Sequence, residues 1–84
     1  MRNFQLGYMR KSIVKYSIAL QGHRTSISLE PEFWSELKRI ALARGKSINA
    51  IVGQIDSFRQ GNLSSAIRVF ILEELKKPNT NRGL

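Results

Sequence analysis

Two short alternating runs constrain this chain more than any other feature. From Ile13 to Leu20 it reads IVKYSIAL, with Val14, Tyr16, Ile18 and Leu20 apolar at every second position, and from Arg24 it reads RTSISL, with Ile27 and Leu29 apolar. Side chains of a strand alternate between its faces, so each run predicts a strand with one buried face. The apolar residues stand at even numbers in the first run and at odd numbers in the second. One continuous strand would put the two sets on opposite faces, so something must reset the parity between Leu20 and Arg24. A two-residue turn at Gln21-Gly22 does so. Leu20 then faces His23, Ile18 faces Thr25, Tyr16 faces Ile27 and Val14 faces Leu29 on one side, while Lys15, Ser17, Arg24, Ser26 and Ser28 share the other. Gln-Gly is a weaker hairpin signal than Asn-Gly, and a glycine-centred bulge that twists a longer strand is the alternative.

Helical spacing takes over after Leu29. Glu30-Pro31 opens a first helix, because proline at the first helical position gives up an N–H that has no intrahelical partner. Phe33, Leu37, Ile40, Ala41 and Arg44 recur at helical spacing with Trp34 beside them, and Gly45 ends the helix. Ser47 caps a second helix, whose apolar face is Ile48, Ile51, Val52, Ile55 and Phe58. A third begins near Leu63, with Leu63, Ala66, Ile67, Phe70 and Ile71 on one side and Val69, Leu72 and Leu75 around the back, a stripe wide enough to demand burial on more than one side. Lys76 and Lys77 complement the negative end of its dipole. No internal repeat is found. The fold class is mainly α with a short N-terminal β ribbon: one or two short strands, then three helices. Residues 1–12 read as a basic arm without sustained period, 13–77 as the domain, and 78–84, opened by Pro78, as a disordered tail. Met9 is a second candidate start.

The chain has 84 residues and no cysteine. A domain this small buries only about 60–65% of its unfolded surface, which makes a second subunit attractive. With no thiol and His23 as its one imidazole, it offers neither a disulfide nor a cluster of soft metal ligands, so no metal and no cofactor are expected. The net charge is +8, and no acidic residue precedes Glu30, whereas Arg2, Arg10, Lys11, Lys15 and Arg24 do. Such a lopsided field favours an anionic partner. Arg10, Lys11 and Lys15 interrupt every apolar run near the N-terminus, and nothing approaches the ~18 apolar residues of a membrane span, so a cytoplasmic protein with no membrane partner is expected.

A strand with one polar face, a proline-containing link, a helix ended by glycine and a second helix capped by serine is the order of ribbon-helix-helix proteins. RTSISLEPEFWSELKRIALARGKSINAIVGQI, residues 24–55, resembles that family throughout. The wider run from Lys15 to Leu72, with GHRTSISLEPEFW and GNLSSAIRVFIL as its most distinctive pieces, is similar to a bacterial subgroup that adds a third helix. The resemblance implies an intertwined homodimer, the strand of each subunit pairing antiparallel with its mate, and a two-stranded ribbon entering the major groove of double-stranded DNA. The groove is about 12 Å wide and admits such a ribbon, whereas a four-stranded sheet would not enter it flat.

By that resemblance the outward residues Arg24, Ser26 and Ser28 read bases, since arginine can bridge O6 and N7 of guanine and serine can donate or accept at a base edge. The inward residues Thr25, Ile27 and Leu29, with Phe33, Trp34 and Leu37, form the dimer core. The N-terminus of the second helix, Ser47, Ile48 and Asn49, anchors a phosphate through free backbone N–H groups. Lys46 stands where many relatives have an apolar residue and adds a phosphate contact. Should the hairpin form, its outer strand is expected to flare and set Lys15 by the phosphates, with His23 at the mouth of the ribbon as a further phosphate contact.

Each assignment has a plainer competitor. Alternation alone makes Arg24, Ser26 and Ser28 no more than the wet face of a half-exposed strand. Phe33 and Trp34 could stack on single-stranded bases, but their helical spacing with Leu37 and Ile40 favours packing. Asn62, Ser64 and Ser65 read as helix-capping residues rather than nucleophiles, because no triad accompanies them. Glu73 and Glu74, about 100° apart on a helix, read as solvated surface rather than an acid–base pair. No catalytic site is found. The function these readings converge on is sequence-specific double-stranded DNA binding by a small homodimeric transcriptional regulator. The alternative is an antitoxin-like or adaptor module that holds a protein partner on its third helix.

Overall fold

The computed structural model describes residues 12–78. The basic arm and the polar tail therefore lie, but for Ser12 and Pro78, outside the described residues. The elements follow in the expected order: β1 (Val14–Leu20), β2 (His23–Leu29), α1 (Pro31–Arg44), α2 (Ile48–Phe58) and α3 (Leu63–Lys76).

The parity switch is a turn. β1 and β2 pair antiparallel with Val14 opposite Leu29, Tyr16 opposite Ile27, Ile18 opposite Thr25 and Leu20 opposite His23. Gln21 and Gly22 have φ of 50° and 82°, the two positive values of a type I′ hairpin turn, whose twist suits the flanking strands. The expected flare of the outer strand does not occur. β1 stays in register with β2 over all seven residues, because Tyr16, Ile18 and Leu20 pack on the same helices as Ile27 and Leu29.

The helix ends form as their residues dictate. Pro31 opens α1 and Gly45 closes it at φ 66°, with the Lys46 N–H reaching back to the Ala41 carbonyl at 2.9 Å as in a Schellman cap. Ser47 Oγ accepts from the Ala50 N–H at 3.0 Å to start α2, and Asn62 Oδ1 accepts from the Ser65 N–H at 3.0 Å to start α3.

The core lies between the inner face of the hairpin and the three helices. Ile18, Ile27 and Leu29 of the sheet meet Leu37, Ile40 and Ala41 of α1, Ile51, Val52 and Ile55 of α2, and Ile67 and Ile71 of α3. The Tyr16 ring stacks on Trp34, centroids 3.9 Å apart. Two expectations change. Phe58 does not join the core but is 71% exposed, and Val69, Leu72 and Leu75 stay uncovered. One hairpin and two neighbouring helices can cover α3 on one side only, so the back of its wide stripe meets no element among the described residues.

Glu74 also departs from its reading as solvated surface. Its carboxylate bridges Arg44 at 2.7 Å and Lys77 at 2.8 Å, while the Arg44 guanidinium lies 5.4 Å from the centroid of Phe70. This joins the C-terminus of α1 to α3.

Candidate nucleic-acid interface

Hairpin pairing gathers the polar residues of both strands on one face. Lys15 lies opposite Ser28, Ser17 opposite Ser26 and Ala19 opposite Arg24. All are exposed except Ser28, which is half-buried. Cross-strand neighbours of this kind have Cβ atoms about 5 Å apart, so the six side chains form one plate. The strands carry no acidic residue, and Glu30, the acidic group next to them, is bound by Arg68 Nε at 2.9 Å. The plate is thus polar and cationic.

Both outer edges of the hairpin are tied to helices of the same chain. On β1, the Ala19 N–H donates to Asn49 Oδ1 at 3.3 Å, and on β2 the Ser28 N–H donates to Ser64 Oγ at 3.0 Å. Arg68 adds a longer contact to the Ser28 carbonyl at 3.5 Å, and its guanidinium sits 5.8 Å from the Phe33 ring centroid. Sequence reading missed these positioning roles of Asn49, Ser64 and Arg68. The partners lie 30 to 40 residues away, and no local pattern announces them. Ser64, read as a cap residue, instead fastens α3 to the strand.

The Asn49 bond sets the N-terminus of α2 beside the turn end of the hairpin. Ser47 satisfies the Ala50 N–H, leaving the backbone N–H groups of Ile48 and Asn49 at the positive end of the helix dipole. A shallow hollow there is lined by Ser17, Ile18, Ala19, Gly22, His23, Arg24 and Asn49. Lys46 is exposed one residue before the cap. His23 is exposed at the turn, opposite Leu20. Lys15 sits at the far end of the plate rather than on a splayed strand.

Of the residues assigned to a dimer core, Ile27, Leu29 and Leu37 are buried within the single chain. Phe33 and Trp34 are half-buried against them. Thr25 is exposed.

The polar ribbon lies over helices, with the capped start of α2 beside the ribbon's end, and the family model of the ribbon-helix-helix domain matches residues 13–75. The chain belongs to the ribbon-helix-helix family. Its members are in general DNA-binding regulators. No curated protein matches the chain. Among solved structures, that of an uncharacterized protein from Bordetella pertussis Tohama I is similar, with a TM-score of 0.66 at 23% identity over 89% of this chain and 69% of that one. At that identity the likeness concerns the fold. The match of this ribbon-helix-helix protein to the family model runs from β1 through all but the last residue of α3. No helix among the described residues is long and apolar enough to cross a membrane.

Proposed function

We propose that this ribbon-helix-helix protein binds double-stranded DNA in a sequence-specific manner, as a homodimer, and acts as a small cytoplasmic transcriptional regulator. The observation that carries the reading is the exposed polar plate of the ribbon. Arg24, Ser26 and Ser28 are displayed together on a two-stranded sheet of the width the major groove admits. Asn49 and Ser64 fasten the plate to α2 and α3, and in this reading the N-terminus of α2 and Lys46 meet the backbone that borders the groove. Large apolar side chains left exposed on the helices, Leu42, Val69, Leu72 and Leu75 among them, supply surface for a second copy.

Selection of bound sequences from a random duplex pool tests this. The expected result is an enriched motif whose preference Arg24→Ala relaxes, while Lys46→Ala weakens binding to all sequences alike. An Arg24→Ala protein that keeps both affinity and motif would overturn the reading. A groove between α2 and α3, lined by Ile55, Phe58, Ala66, Val69 and Phe70, favours a second reading, an adaptor or antitoxin-like module that seats a protein partner. Enrichment of no duplex sequence would leave that reading in place of the first.

A further inference from the structure

Ser28, the last polar residue on the face of β2, is held differently from the two before it. Arg24 and Ser26 are exposed, and among the described residues no helix side chain binds their main chain. Ser28 is half-buried, and α3 takes both of its main-chain groups. The Ser28 N–H donates to Ser64 Oγ at 3.0 Å, and its carbonyl accepts a longer contact from Arg68 Nη2 at 3.5 Å. Ser64 and Arg68 stand one helical turn apart and so share a face of α3. The Arg68 guanidinium is itself fixed, with Nε donating to Glu30 Oε1 at 2.9 Å and the Phe33 ring centroid 5.8 Å away. Leu29, between the two tied residues, is fully buried. All of these contacts lie within one chain and involve no residue of β1.

Side-chain length decides what such a mount is for. Arginine carries its donors on a long side chain whose torsions can make up for a shift of the backbone. Serine carries its hydroxyl one bond beyond Cβ, so a displacement of its backbone passes undiminished to Oγ. An O–H···O bond is made over about 2.5–3.0 Å, and a recognition group must stay within about 0.5 Å of its place to make it. Ser28 also stands next to the end of its strand, and the ends of elements open most readily. A short reader at a strand end needs its main chain held.

We infer that Ser64 and Arg68 are positioning residues for base readout: by holding both main-chain groups of Ser28, α3 sets where the Ser28 hydroxyl meets a base edge. The inference rests on the DNA-binding reading above. It gives α3 a share in sequence preference without a contact of its own to DNA. Arg24, long and held by no helix, reads its base whether or not the grip is intact.

Two experiments on the full chain test it. In selection from a random duplex pool, Ser28→Ala marks the base position that Ser28 reads. Ser64→Ala and Arg68→Met should each relax discrimination at that same position about threefold, the loss of one hydrogen bond, and leave the position marked by Arg24→Ala as it was. Ser64→Thr, which keeps the hydroxyl, should select as wild type does. Glu74→Gln, which loosens the other end of α3, should leave both positions unchanged and so separates readout from stability. Uniform weakening on all sequences by Ser64→Ala and Arg68→Met, with the motif intact, would overturn the inference while keeping the DNA-binding reading. A Ser28→Ala protein that selects the wild-type motif would do the same. Failure of the wild-type chain to enrich any sequence removes both. The second experiment needs no DNA. Amide hydrogen exchange at Ser28 should quicken in Ser64→Ala by at least about fivefold beyond any change in the α1 amides, which follow global opening. A Ser28 rate that changes only as the α1 amides do would refute the grip.

Discussion

Gln21 holds a φ of 50° between Leu20 and Gly22, the left-handed region where a side chain is strained. A residue other than glycine or asparagine pays about 1–2 kcal/mol there. Asparagine tolerates the region and is favoured before glycine in this turn type, so Gln21→Asn should stabilise the fold by about 0.5 kcal/mol, read as a thermal midpoint about 2–4 °C higher. At the α1–α3 seam, the hydrogen bond from Lys77 and the Arg44 guanidinium outweigh the desolvation of Glu74 and hold its carboxyl below the ordinary value of 4.5. A carboxyl depressed in the folded state contributes stability above its unfolded pKa and loses it as pH falls through the folded one. Glu74→Gln should therefore be less stable than wild type near neutrality, and the gap in denaturant midpoint should vanish on acidification below that folded pKa.

At the scale of elements, Arg68 joins three pieces. Its guanidinium binds Glu30 at the start of α1, reaches the Ser28 carbonyl on β2 and lies against Phe33. Arg68 and Glu30 are each 29% exposed, so the pair falls between a surface ion pair and a buried one, and Arg68→Met should cost about 1–2 kcal/mol. A double-mutant cycle with Glu30→Gln, measured by urea unfolding, should return a coupling of at least ~0.5 kcal/mol. The starts of all three helices and the end of α1 were legible because Pro31, Gly45, Ser47 and Asn62 act on backbone groups within a turn of themselves. The hairpin register was legible because alternation and the glycine are local. The fastening of strand to helix was not. Asn49 to Ala19 and Ser64 to Ser28 join residues whose only sequence signal is the second position of a helix. The polar face of the hairpin followed from parity, but parity could not show that Lys15 remains in its plane. That depends on β1 being held flat by Tyr16 on Trp34 and by its own buried residues.

At the scale of the whole molecule, the net charge of +8 sets how binding responds to salt. If each subunit of a dimer neutralises about three phosphates, log affinity should fall against log salt with a slope of about −5, at roughly 0.9 per phosphate. Fluorescence anisotropy of a labelled duplex across a salt series measures it, and a slope near zero would contradict groove docking flanked by phosphate contacts. The overall exposure pattern was only partly legible: the wide stripe of α3 was evident, but periodicity could not show that Val69, Leu72 and Leu75 find no covering neighbour among the described residues. The hairpin also carries a kinetic meaning. Its outermost pair, Val14 with Leu29, spans a short stretch that synthesis delivers before any of the three helices. Pairing at that range closes in about 1–10 μs and needs no collision between chains. The hairpin thus closes as a first-order event, at a rate independent of protein concentration.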